Sequence, residues 1–457
     1  MNIKNIVLNQ RNFFNSNKTK DIDFKIKALK KLKNEIHNRE EEIFRALYLD
    51  LGKSKEESYL SELSIVYKEI DLHIKNLKSW SKPKKVKTSI VNFLGKSFIL
   101  NMPYGVVLIM SPWNYPFQLS IMPLIGAIST GNCVILKPSE YSIETSKVLE
   151  SIIKSAFEEE YISVILGDIE INEQILEEKF DFIFFTGSTN VGKIVYEKAA
   201  SNLTPTILEL GGKSPTIVFN DANVKISARR IAWGKLLNSG QTCVAPDYIL
   251  LQENIYESFI DSYIKEVKNM YGENPILNKE YPKIISRKHF DRLKNLINLQ
   301  NKADIIGGNF NEHTLKIEPT IIKNASISNP IMKEEIFGPI LPIIKFKYYE
   351  EAFKIIKNNP TPLALYVFTE NENLKWKCAN EISYGGFVAN DTIMHLANDS
   401  LPFGGIGTSG IGNYHGKYSF DAFSKKTAFL NKPTKIDINL RYPPFLKKWK
   451  WIKRFVK

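Results

Sequence analysis

The sequence predicts an α/β protein with two parallel-sheet domains and a small bridging element. Three observations predict it. Short, strongly apolar runs recur between 106 and 210, and helix-length stretches separate them. A second block of the same kind runs from Pro215 to about 390. The chain has 457 residues, more than one core usually holds, so two or three domains are expected. Strand–helix alternation puts helices on both faces of a parallel sheet.

The elements follow in order. Phe24, Ile26, Leu29, Leu32, Ile36, Ile43 and Leu47 recur at helical spacing over 24–49, and residues 56–80 read the same way. Lys82-Pro83-Lys84-Lys85 breaks that pattern, and 98–103 is a short extended stretch. The runs at 106–110, 132–136, 161–166, 181–185 and 205–210 are buried strands. Helices at about 117–130, 142–157, 172–178 and 190–200 separate them. The second block has strands at 216–219, 247–251, 340–345 and 365–368. Its helices lie at 223–239, 254–270, 287–300, 350–358 and 372–382.

Composition narrows the function. Apolar residues make up 43% and charged residues 24%, as in ordinary soluble enzymes. The longest apolar run, 105–110, is far short of the ~20 residues a membrane span needs. No apolar segment follows Lys4, so no signal peptide is expected. The net charge of +13 comes mostly from lysines scattered among Glu and Asp, a solvated surface rather than a nucleic-acid footprint. Cys133, Cys243 and Cys378 are an odd, sparse set, which suits a reducing cytoplasm. The six histidines show no metal-ligand spacing, so no metal is expected.

Cys243 stands in Ser239-Gly240-Gln241-Thr242-Cys243-Val244-Ala245-Pro246, where small neighbours leave its sulfur open to a substrate. Glu209, flanked by leucines and followed by Gly211-Gly212-Lys213, is in an odd place for a solvated charge. A thiol nucleophile and a carboxylate that moves protons would suit both. Other segments are ambiguous singly. Thr186-Gly187-Ser188-Thr189-Asn190-Val191-Gly192 follows a strand and opens a helix, so it fits a pyrophosphate or a plain N-cap. Lys137-Pro138-Ser139-Glu140 fits a ribose or a surface loop. Trp113-Asn114 fits an oxyanion donor or a turn. Glu334-Glu335-Ile336-Phe337-Gly338-Pro339 and Pro402-Phe403-Gly404-Gly405 are loops that could border a site.

Taken in chain order, these segments resemble the NAD(P)-dependent aldehyde dehydrogenases over roughly 25–430. Cys243-Val244-Ala245-Pro246-Asp247-Tyr248, Tyr414-His415-Gly416-Lys417-Tyr418-Ser419-Phe420 and Arg441-Tyr442-Pro443-Pro444 resemble the class 3 branch, which includes fatty-aldehyde dehydrogenases. The resemblance implies Cys243 as nucleophile, Glu209 as base, and Asn114 with the Cys243 N–H as oxyanion donors. Trp113, Lys137, Glu140, Gly187, Ser188, Gly192, Gly211, Glu335 and Phe337 would hold the cofactor. Glu140 would repel a 2′-phosphate, tilting the choice to NAD, although class 3 relatives often take NADP as well. Relatives that pass the acyl group to coenzyme A usually lack the Glu209 base, so water is the expected acceptor.

By the same resemblance, 1–82 and 104–208 form the cofactor domain and 209–411 the catalytic domain. Residues 83–103 and 427–440 form a bridging element that pairs subunits into a homodimer. The tail, 441–457, holds seven basic residues and no acid. Phe445, Trp449, Ile452 and Val456 recur there at helical spacing. A basic amphipathic helix with tryptophans suits an anionic membrane surface; packing on a dimer partner or disorder are the alternatives.

Overall fold

The computed structural model describes residues 2–437 and 439–455. The first apolar block forms a six-stranded sheet. Its order is Gly410–Ile411, Thr206–Glu209, Phe182–Thr186, Val106–Met110, Cys133–Lys137, Ile162–Val164. All neighbours are parallel except the Gly410–Ile411 edge. The first strand of the block, Val106–Met110, therefore lies in the middle, and the chain winds outward from it in both directions. The reversal falls between Val106–Met110 and Phe182–Thr186, where α/β sheets open a crevice at their carboxyl ends. Val106–Met110 is buried along its whole length, because helices cover both faces. The helix Gln118–Thr130 is buried at every position.

The second block forms a seven-stranded sheet. Its order is Ile305–Ile306, Thr320–Ile322, Ile340–Phe346, Tyr248–Gln252, Pro215–Val218, Ala364–Phe368, Gly386–Ala389. It too is parallel, apart from the Ile305–Ile306 pairing. Its strands at 305–306, 320–322 and 386–389 were not expected. A third, antiparallel sheet joins Lys84–Val86, Lys96–Pro103 and Ser424–Asn431. Its last strand begins before the expected 427 and stops at 431, well short of 440. Pro433 follows two residues later and has no N–H to extend the ladder. Ile438 lies outside the described residues.

Two helical features depart from the periodicity. Ile3–Asn15 is a helix, although the apolar pattern first announces one at 24. Its buried face includes Gln10, whose Nε2 donates to the Val134 carbonyl at 2.8 Å and to Ser163 Oγ at 3.1 Å. A polar residue spent on the sheet breaks the apolar stripe. The expected helix over 56–80 is Lys55–Ser58, a π turn at Tyr59–Leu63, then Ser64–Trp80. The tail holds a short helix, Trp449–Phe455, and the expected Val456 lies outside the described residues.

Candidate active site

The loops that leave the carboxyl ends of the first sheet converge at its switch point. Trp113 and Asn114 follow Val106–Met110, Lys137 ends the next strand, and Gly187-Ser188 follow Phe182–Thr186. Glu209 ends Thr206–Glu209, paired on one side with Thr186 and on the other with Gly410. The second sheet contributes the cysteine loop and the Glu335–Phe337 loop.

The cysteine loop is bent sharply. Asn238, Ser239 and Gly240 all have positive φ, at 52°, 52° and 73°. Left-handed Asn and Ser cost energy, so surrounding contacts must hold them. Ser239 Oγ donates to the Pro282 carbonyl at 2.6 Å. Gln241 donates to the Asn238 and Lys283 carbonyls and accepts from the Ile285 N–H, each at 3.0 Å. Gly240 presses against the Gly338 carbonyl, where any Cβ would clash. The bend delivers Cys243 half-buried, on the wall of a cavity of about 740 Å³. Leu119, Met122, Trp233, Ile393 and Phe403 give that wall a largely apolar character.

Asn114 comes close to the same loop. Its Nδ2 donates to the Gln241 carbonyl at 3.0 Å, leaving its second N–H for another acceptor. Glu209 is 2% exposed, and neither carboxylate oxygen has a hydrogen-bond partner. Burial holds its carboxyl well above the usual range. The Cys243 thiol is pushed up to about 12, by burial first and then by the charges of Glu335 and Glu209. Cys243 thus lies within the fields of both carboxylates.

Glu335 lies against Gly211, at a spot where a Cβ would overlap its carboxylate. Burial and Asp247 raise it to about 8. A buried ion pair holds its loop: Lys213 pairs with Asp247 and donates to the Ile331 and Glu334 carbonyls at 3.1 and 2.9 Å. Asp247 Oδ1 accepts the Ile336 N–H at 2.8 Å. Phe337 meets the Trp113 ring edge-on, with centroids 5.3 Å apart. His289 extends this cluster, 4.9 Å from Trp113 and 5.9 Å from Tyr141.

The remaining cofactor candidates line the other carboxyl ends of the first sheet. Lys137 is buried and donates to the Pro138 carbonyl at 2.9 Å. Glu140 is half-exposed in the following loop. Ser188 caps the helix Thr189–Ser201, accepting the Val191 N–H at 3.4 Å, and its O–H is left to donate. A Cβ on Gly187 would lie 2.6 Å from the Phe185 ring, and one on Gly192 2.5 Å from Leu210. Backbone amides at the strand ends and the helix N-terminus, with the Trp113–Phe337 aromatic pair nearby, fit a dinucleotide.

Sequence reasoning missed the supports. Lys213 and Asp247 were visible only as motif letters, and Lys53, Glu62, Asn238 and His289 carried no signal at all. An ion pair between residues 34 positions apart leaves no spacing to read.

The aldehyde dehydrogenase family model matches residues 2–428 of the chain. The 4,4′-diaponeurosporen-aldehyde dehydrogenase of Staphylococcus aureus is 47% identical, with 97% of each chain covered. Aldehyde dehydrogenase family 3 member H1 of Arabidopsis thaliana is 44% identical, over 96% of this chain and 92% of that one. The solved substrate-bound state of Staphylococcus aureus AldH superposes with a TM-score of 0.98, at 46% identity and full coverage of both chains. Betaine aldehyde dehydrogenase from Staphylococcus aureus, solved in complex with NAD+, has a TM-score of 0.85 at 26% identity, covering 96% of this chain and 88% of that one. The α/β fold is the aldehyde dehydrogenase fold, and this chain belongs to the aldehyde dehydrogenase family, as an enzyme that oxidises aldehydes.

Proposed function

We propose that the enzyme oxidises medium- or long-chain aliphatic or aromatic aldehydes to carboxylic acids through a cysteine-bound acyl group. The observation that carries this is Cys243, on the wall of a large apolar cavity and within the field of the buried, unpartnered Glu209. Once its proton has passed to solvent through the open cavity, the Cys243 sulfur adds to the aldehyde carbon and forms a thiohemiacetal. The Asn114 amide and the Cys243 N–H stabilise the oxyanion. When bound, the nicotinamide cofactor would supply the acceptor for the hydride that leaves the thiohemiacetal carbon, so that a thioester remains on Cys243. Glu209, raised by burial, takes a proton from the water that hydrolyses it.

For the cofactor, Lys137 and Glu140 meet the adenosine ribose, and Gly187, Ser188 and Gly192 the pyrophosphate. Trp113, Gly211, Glu335 and Phe337 border the nicotinamide end. Glu140 favours NAD over NADP. In this reading 1–82 and 104–208 form the cofactor domain, 209–411 the catalytic domain, and 83–103 with 427–440 the bridging element. Val91, Phe93, Met102, Phe429 and Leu430 are exposed on and beside the third sheet, which supports a homodimer. Light scattering on Phe429→Lys tests this: a monomer is expected, and an unchanged dimer counts against that face.

No helix among the described residues is long and apolar enough to cross a membrane. The tail exposes Leu446, Trp449 and Trp451 beside its lysines, which supports contact with a membrane surface through 445–457. Liposome sedimentation of a chain lacking 445–457 tests it, and unchanged sedimentation rejects it.

The decisive assay follows reduced-nicotinamide absorbance over a ladder of straight-chain aldehydes, with and without coenzyme A. Turnover should rise with chain length, ignore coenzyme A and vanish in Cys243→Ala. Turnover that survives in Cys243→Ala rules the mechanism out.

A further inference from the structure

Asn114 supplies the oxyanion amide, but a segment outside both sheets holds it in place. Its backbone carbonyl accepts two hydrogen bonds. One comes from Asn238 Nδ2 at 2.7 Å, within the cysteine loop. The other comes from Lys53 Nζ at 3.1 Å, from the N-terminal helical region. Lys53 is fully buried. Its Nζ pairs with Glu62 Oε1 at 2.6 Å and lies 3.9 Å from the centroid of the Tyr115 ring. An ammonium has three hydrogens, and here they have a carboxylate, a carbonyl and a ring face as neighbours.

Glu62 completes the clamp. It is also fully buried, and its Oε2 accepts the Phe117 N–H at 2.9 Å and the Gln118 N–H at 3.1 Å. One ion pair therefore grips both ends of the turn 114–118. Glu62 sits in the π turn Tyr59–Leu63, an irregularity found often near functional sites. The arrangement is not an economical way to gain stability. Burying two charges is costly, and an apolar pair of the same volume often serves stability as well. What the charges add is direction, because each fixes a backbone group by a short hydrogen bond.

We propose that Lys53, through its pair with Glu62, is a positioning residue for the oxyanion: it holds the 114–118 turn so that the Asn114 amide and the Cys243 N–H meet at one point. The inference rests on the oxyanion role given to Asn114 above. Donors act on an oxyanion only when held in advance at hydrogen-bond distance.

A double-mutant cycle separates positioning from simple support. Lys53→Met should lower kcat/KM about 10- to 100-fold, a fraction of the 10²–10³ that an oxyanion donor supplies. In an Asn114→Ala background the same substitution should change kcat/KM by less than about twofold, while lowering the thermal midpoint as much as before. Equal rate losses in both backgrounds, or none in the parent, overturn the proposal. If Lys53→Met does not fold, Glu62→Gln, which keeps its shape and loses its charge, takes its place in the cycle, with the same results expected and the same results overturning the proposal. A fully active Asn114→Ala instead overturns the oxyanion role of Asn114, and the proposal with it.

Discussion

Two sets of buried charges differ in how they are satisfied. Lys213–Asp247 and Lys53–Glu62 are ion pairs whose remaining capacity is used by backbone groups: the Ile331, Glu334 and Asn114 carbonyls, and the Ile336, Phe117 and Gln118 N–H groups. Each pair pins a loop. Glu209 and Lys235 are as deeply buried, and their charged atoms have no hydrogen-bond partner. Burial raises the first well above the carboxyl range and lowers the second to about 8. The difference teaches a division of labour. A satisfied buried pair has its protons held in hydrogen bonds and serves geometry. An unsatisfied carboxyl, as the proposed base Glu209 is, is free to change protonation.

The largest expected effect breaks the unsatisfied set. Glu209→Gln should lower steady-state turnover by about 10²–10⁴ and leave an acyl adduct on Cys243, visible by mass spectrometry. The same variant has a second signature. The folded state keeps a proton on Glu209 that the unfolded chain releases above the ordinary carboxyl range. Wild-type stability is therefore lost as pH rises through that window. Glu209→Gln should melt higher than wild type at pH 9, with the gain gone near pH 4, where both states are protonated. Equal melting points at pH 9 would place the carboxyl in a wetter setting than the one described.

Breaking the satisfied set comes next. Lys213→Met strands Asp247 in the interior and should cost about 3–5 kcal/mol in denaturant titrations. The Glu335–Phe337 loop should loosen with it, so KM for NAD should rise more than KM for the aldehyde. An unchanged ratio of the two would separate that pair from the cofactor loop.

The smallest effect sharpens the electrostatics. Glu335→Gln removes the charge with the larger effect on the Cys243 thiol. Iodoacetamide should then alkylate Cys243 several-fold faster at pH 8, since one unit of pKa is about 1.4 kcal/mol. A slower rate would reverse the assigned sign.

The residues proposed to react were legible in the sequence. Cys243 stands among small residues, Glu209 between leucines, and the strands alternate with helices where the apolar runs place them. Chemistry of this kind demands residue types at fixed places along the chain, and the eye can follow them. The helix Ile3–Asn15 was harder to read, because Gln10 interrupts its buried face to bond the sheet.

By itself, then, the sequence determined the α/β class, the two alternating blocks and the motif set that marks the family. Only the tertiary structure decided how the proposed reacting groups are held. It brought Lys53 to the Asn114 carbonyl, Lys213 to the Glu334 carbonyl, and the Gly338 carbonyl against Gly240. The physical reason is range. Propensity and periodicity act between near neighbours in sequence, and a motif records what one segment supplies. A buried ion pair or a backbone contact joins segments that share no period, and it exists only once the chain has folded to bring them together.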